Sequence, residues 1–450
     1  MFLESLKQRQ IHSDLWRIAV PLILSNLSVP LLGIVDTAVV GHLDSPHYIG
    51  AVAVGSMIFG IVFWGFGFLR MGTTAFTAQA FGAGDGDEIR AVLLRALFLA
   101  MVFSLLLIGL QQAIAWLAFQ LIGAGEQVEQ QARLYFFIRI LSAPATLANY
   151  VLLGWFLGLH NARAPLLLLL FVNSLNMALD FVFVTVLGTA ADGVAWASFI
   201  AEYCGLGLGL LLLRGELRKH PGHWHMQRIL DRTRLLHLLA VNRDIFIRTL
   251  CLMFTLAFFT AQGSRLGDAV LAANAVLFTF QTFMAYGLDG LAHAAEAMTG
   301  KAVGASNQRQ FDAVLVVTLC WALAASSVFA WMYFALGEIF IAWISDIESV
   351  RHLAANYLPW VALLPLISVW SFILDGIYIG ATKAAEMRNT MLFSTVCVFL
   401  PAWYLLQTHH NHGLWLAFCL FMLARAVSMG LLFLLMQRQN RFFPCITPTK

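Results

Sequence analysis

Two aspartates, Asp36 and Asp180, stand inside long apolar runs, where an ionised side chain is costly and therefore needs a reason. Asn173, Asn176 and Asp180 are three and four residues apart, which places them on one face of a helix as a polar stripe. At 1.5 Å per residue, Asp36 lies about 31 Å along its run from Leu15, and Asp180 about 22 Å along its run from Pro165. Both depths fall in the outer half of a bilayer, so Asp36 can face the stripe. Two carboxylates in a medium of low dielectric cannot both ionise cheaply, and such a pair titrates as a unit. The chemistry this suits is proton carriage. The competing reading is a neutral structural network held by the asparagines.

A second group of intramembrane charges is expected near the inner side. Asp289, Glu296 and Asp375 share a depth in the second half of the chain, and Arg70 has a similar depth in the first. Arg70 pairing with Asp289 or Glu296 would close an inner gate; a static neutralising pair is the alternative. Arg139 and Glu202 also match in depth and are expected to form a structural pair, leaving Arg425 as the remaining span base. The cysteines lie mostly alone in apolar runs with no CxxC spacing, so neither disulfides nor a metal site are expected. His220, His223 and His225, and His409, His410 and His412, read as solvated loop histidines; no metal ligand and no cofactor other than a coupling ion is assigned.

The elements that position these residues follow from composition. Of 450 residues, 60% are hydrophobic and only 11% charged. The mean hydropathy is +0.79. A soluble domain carries roughly 25% charged residues, so the main solvent of this chain is lipid. Disorder, nucleic-acid binding and secreted disulfide scaffolds are excluded. Twelve stretches are long and apolar enough to span a bilayer: approximately 15–40, 49–80, 91–121, 131–158, 165–187, 193–213, 245–264, 270–300, 312–336, 352–381, 389–407 and 413–437. Met1 to Ser13 is polar, and the run after it is too long for a signal-peptide core, so it reads as the first span. Pro21, Pro30, Pro144, Pro365 and Pro401 mark bends rather than helix ends. Lys and Arg crowd the segments that are inside when the N-terminus is inside, the largest cluster running from Arg214 to Arg243. The outer segments hold only Arg265 and Arg351. Both termini are thus expected in the cytoplasm of a cell whose inner (cytoplasmic) membrane holds this multi-pass chain.

An offset of 222 aligns the two halves. Ala80-Phe81-Gly82-Ala83 faces Ala302-Val303-Gly304-Ala305, Ala91-Val92-Leu93 faces Ala313-Val314-Leu315, and Gly154 and Gly158 face Gly376 and Gly380. A duplicated six-span unit follows, and because six is even the two copies run parallel. The expected fold is an all-α integral membrane protein, twelve transmembrane helices in two parallel-repeat six-helix lobes around a central cleft. Its parts are a cytoplasmic N-terminus (1–14), an N-terminal lobe (15–213), a cytoplasmic link (214–244), a C-terminal lobe (245–437) and a cytoplasmic C-terminus (438–450). The acids do not repeat: Asp36 faces Phe258 and Asp180 faces Ala402, so ion coupling is expected in the N-terminal lobe. No GxxxxGK[ST] phosphate loop is present, and ATP hydrolysis is not expected on this chain.

Several segments resemble one family. Pro30-Leu31-Leu32-Gly33-Ile34-Val35-Asp36-Thr37-Ala38-Val39-Val40-Gly41 is similar to the first-span signature of multidrug and toxic compound extrusion (MATE) transporters, and Ala78-Gln79-Ala80-Phe81-Gly82-Ala83 to the end of their second span. Leu374-Asp375-Gly376, Gly380-Ala381-Thr382 and Glu386-Met387-Arg388-Asn389 resemble the branch named for DNA-damage-inducible protein F (DinF). The resemblance covers nearly the whole chain. It implies two six-helix lobes and export of drugs or toxic compounds in exchange for protons or sodium. It implies a protonation site at Asp36, accompanied by Asn176 and Asp180, and a bend of the first span at Pro21. Sodium-coupled relatives use an acid in the seventh span, and 245–264 contains none, which favours protons without removing sodium. The expectation is a proton-coupled efflux antiporter of small, amphipathic, cationic organic molecules. It would work by alternating access as a monomer among membrane lipids, with no nucleic-acid partner and no enzyme activity. A sodium-coupled exporter, a lipid-precursor flippase and a membrane enzyme stay open as alternatives.

Overall fold

The computed structural model describes residues 7–40 and 46–443; the side chains of 29–32, 34–40 and 46 are outside the described set. All secondary structure among the described residues is helical. The helices are α1 (Arg9–Val40), α2 (Pro46–Gly65), α3 (Phe68–Gly82), α4 (Gly86–Gly109), α5 (Gln111–Ile122), α6 (Glu126–Arg139), α7 (Ala143–Gly158), α8 (Arg163–Phe181), α9 (Ala191–Lys219) and α10 (Met226–Ile229). They continue with α11 (Arg232–Arg265), α12 (Asp268–Gly304), α13 (Gln308–Ile344), α14 (Glu348–Gly380), α15 (Ala384–Phe393), α16 (Leu400–Leu406) and α17 (His410–Arg438). Ten continuous segments among the described residues are long and apolar enough to cross a membrane. The last of these, Ala384–Arg438, turns back at His410, whose φ is 52°, and so holds two helices. With the 32-residue α1, which stands outside those ten, the described helices are consistent with the twelve expected spans. Large apolar side chains such as Leu105, Leu106, Phe334 and Trp343 are exposed, as they must be where the neighbour is lipid.

By contacts the chain divides into two compact units, Val20–Leu238 and Met1–Ala19 with Leu239–Lys450. Each is built around one helix buried on nearly every side: α7 in the first, and the C-terminal end of α14 in the second. Such all-round burial suits a helix with no polar face.

The offset of 222 recurs in the backbone. α3 ends at Gly82 and α12 at Gly304; the reversal that follows places Gly84 at φ 69° and Ser306 at φ 51°. Asp85 then caps α4 by accepting from Glu88 N at 3.0 Å, and Asn307 caps α13 by accepting from Gln310 N at 3.0 Å. α7 and α14 close with left-handed residues at His160 and Thr382. The packing repeats as well. A Cβ on Gly154 would meet the Arg70 carbonyl oxygen at 2.3 Å, and one on Gly376 would meet that of Ala292 at 2.3 Å. One turn on, a Cβ on Gly158 would reach the Thr74 oxygen at 2.8 Å, and one on Gly380 the Glu296 oxygen at 2.2 Å. In each unit two helices touch backbone to backbone, and glycine is what allows it.

Candidate functional site

In the first unit the polar stripe of α8 faces inward. Asn173, Asn176 and Asp180 are all buried, while most of the apolar side chains around them on α8 are not. Asn173 Nδ2 donates to Ser28 Oγ of α1 at 2.8 Å, and Ser28 donates in turn to the Ser25 carbonyl at 2.7 Å. The orientation of the Asn176 amide follows from its neighbours. With its nitrogen donating to Asp180 Oδ2 at 2.6 Å, its oxygen accepts from the Ser198 N–H and hydroxyl of α9 at 3.1 and 2.8 Å. The stripe therefore joins α8 to both α1 and α9. Immediately beyond Asp180 the helix widens over Val182–Val186, where Leu187 N donates to Val182 O at 3.0 Å across five residues. Such π turns interrupt helices most often at functional sites.

Asp36 lies on α1, but its side chain is outside the described residues. α1 itself runs unbroken through Pro21, whose carbonyl accepts from Ser25 Oγ at 2.7 Å. The division between the two units falls one residue before Pro21 at its near side, between Ala19 and Val20.

The other charges distribute as follows. Arg70 sits on α3 in the first unit, where Thr74 Oγ1 donates to its carbonyl at 2.9 Å. Asp289 and Glu296 lie on α12 in the second; Glu296 is fully buried, with His293 Nδ1 at 3.6 Å from its Oε2. Asp375 of α14 is held within its own unit by two arginines: Oδ2 accepts from Arg248 Nη2 of α11 and from Arg425 Nη2 of α17, the latter at 2.9 Å. Arg248 is not among the span charges singled out from the sequence, because it stands only three residues inside the run that starts at Ile245. Arg139 and Glu202 do meet, at 3.5 Å, and Asn149 Nδ2 adds a 2.9 Å bond to the same carboxylate.

The basic link is also fixed within the first unit. Arg90 Nη1 donates to the His220 carbonyl at 2.6 Å and Nη2 to that of Leu217 at 3.0 Å. Arg228 reaches both Asp85 oxygens at 2.9 Å, and Arg234 pairs with Glu88. Asp87 accepts from His223 N at 2.7 Å, and this bond, with the nearby His225, Arg228 and His223, holds its carboxyl below the usual carboxylate range.

The family model MatE matches residues 21–182 and 245–404, once on each side of the link. The chain is 43% identical to "DNA damage-inducible protein F" of Escherichia coli (strain K12), over 92% of this chain and 90% of that one. It is 25% identical to "Protein DETOXIFICATION 44, chloroplastic" of Arabidopsis thaliana, over 93% and 81%. A "Probable multidrug resistance protein NorM" of Caulobacter vibrioides (strain ATCC 19089 / CIP 103742 / CB 15) is 29% identical over 46% of this chain and 45% of its own. Among solved structures, "Crystal structure of MATE in the bent conformation" superposes with a TM-score of 0.86 over 96% of each chain at 17% identity, a likeness of fold. The chain belongs to the multidrug and toxic compound extrusion (MATE) family of membrane transporters, in the branch of DNA damage-inducible protein F.

Proposed function

We propose that this chain is a proton-coupled exporter of small amphipathic organic cations that works by alternating access. A proton taken up from the outer side neutralises the Asp36 and Asp180 pair. The polar contacts of α8 with α1 and α9 then rearrange, α1 bends near Pro21, and the substrate is released. The energy comes from the proton gradient, and the site is exposed to one side of the membrane at a time.

The observation that carries this reading is the buried chain Ser28–Asn173 and Ser198–Asn176–Asp180. It puts a carboxylate where gain or loss of one proton changes its hydrogen bond with Asn176, the amide that in turn joins α8 to α9. A second observation bears on where coupling takes place. Asp375 already balances two guanidinium groups, so it is poorly suited to bind a further cation. The NorM relatives are named as probable multidrug resistance proteins, which supports export of drug-like organic molecules.

The test is ethidium and proton flux in proteoliposomes under a pH gradient without sodium, comparing the native chain with Asp36→Asn and Asp180→Asn. Coupled flux in the native chain, lost in both variants, is the expected result. Flux that needs sodium transfers the coupling to that ion, and variants that transport normally make the network structural.

A further inference from the structure

We propose that Asp87, in the first turn of α4, binds one divalent transition-metal ion of the zinc class together with His223 and His225 of the link. The ion would fasten the link to the first unit. The three side chains come from segments 136 residues apart, and one ligand atom from each lies within 4.8 Å of the others. His225 Nε2 is 3.2 Å from Asp87 Oδ2, and His223 Nδ1 is 4.0 Å from Asp87 Oδ1. Ligands in a tetrahedron around zinc stand about 3.4 Å apart, given Zn–N and Zn–O near 2.0–2.1 Å. The histidine side chains are exposed and can turn by the small amount required.

Three features make this more than a chance meeting of surface groups. The backbone is pre-positioned: Gly86 and Gly222 lie so close that a Cβ on Gly86 would meet the Pro221 oxygen at 1.9 Å, and Arg90 fixes the carbonyls just before. The carboxylate is aimed, because the His223 N–H occupies Oδ1 and leaves Oδ2 toward His225. The competing cations are engaged elsewhere: Arg228 is paired with Asp85, and Arg95 and Arg234 with Glu88, while the ion-pair partners of Asp87 are the two imidazoles. Two imidazoles and one carboxylate form a zinc-type set with a fourth position for water, and calcium or magnesium would not choose it. The repeat has no second copy, since the residue 222 places after Asp87 is Arg309.

The experiment uses the full chain in detergent, purified without a polyhistidine tag, titrated with Co(II) as an optical probe and then competed with Zn(II). The expected result is one equivalent bound at micromolar concentration, with the intense visible bands of a four-coordinate centre. Affinity should fall at least about tenfold in Asp87→Asn and in His225→Ala. Asp87→Asn keeps an acceptor for the His223 N–H, so its loss of binding is not a loss of the turn. His409→Ala/His410→Ala should bind as the native chain does. Absence of binding in the native chain, or binding unchanged in His223→Ala/His225→Ala, overturns the assignment.

Discussion

Asp180 and Asp375 are both buried carboxylates, and their neighbours give them opposite prospects. Asp180 meets the Asn176 amide, which adapts to either protonation state; Asp375 meets two fixed positive charges. Asp180→Asn should preserve the hydrogen bond with Asn176, leave thermal stability in detergent nearly unchanged and lower proton-coupled dye flux at least about tenfold, since an essential carrier is removed. Native flux in that variant would count against a carrier role. Asp375→Asn should instead destabilise the chain by about 3–5 kcal/mol, the usual cost of leaving a buried charge without its partner. Adding Arg248→Met should recover part of that loss in the same thermal melt; a second, additive loss would show that the cluster does not act as an ion pair. The sequence disclosed the stripe on α8 because helical spacing fixes a face. It did not disclose the Arg248–Asp375–Arg425 cluster, which joins three helices distant in sequence, and Arg248 sits where a span charge passes for a flanking one.

At the scale of elements, the glycine contacts decide which helices can be neighbours. Gly154→Val and Gly376→Val each push a side chain into a carbonyl oxygen 2.3 Å from the Cβ position. Neither backbone can retreat without opening the core of its unit, so both variants should lose most folded protein in size-exclusion chromatography. Gly430→Ala on α17, where a Cβ has nothing within 4 Å, should elute as the native chain does. If Gly154→Val remains monodisperse and stable, close backbone contact is not what holds α3 and α7 together. A polar counterpart joins α12 and α17: Asn274 and Asn411 exchange amide hydrogen bonds of 2.9 Å, and Trp415 Nε1 adds a third to Asn274. Asn274→Ala should lower stability by about 1–2 kcal/mol, near the upper end for hydrogen bonds between membrane helices. Most of these elements were legible beforehand. Hydropathy placed the spans because lipid demands about 20 apolar residues. The two caps at Asp85 and Asn307 also have a local signature, in the small residues Gly82-Ala83-Gly84 and Gly304-Ala305-Ser306 before them. The docking of the link on that first turn is a tertiary choice between acids and arginines far apart in the chain, and no periodicity announces it.

For the whole molecule, the lysine and arginine distribution predicts the orientation. Arg232 is exposed at the start of α11, between the ion-paired Arg228 and Arg234. Trypsin applied to inside-out vesicles should cut there first and yield two fragments of nearly equal size, while right-side-out vesicles should be spared. The opposite pattern would reverse the orientation. The division of the chain by contacts has a temporal consequence for vectorial synthesis. Every partner of the docked link, from Asp85 to Arg234, precedes residue 238, so that clasp can close while the later helices are still unmade. The opening turns of α1 are different. His12 accepts from Trp321 Nε1 at 2.9 Å, across 309 residues, and Trp16 packs edge-on against the same indole. α1, made before every other described helix, is therefore among the last to be seated, and its N-terminal end must wait, unpacked, until the helix carrying Trp321 has been translated.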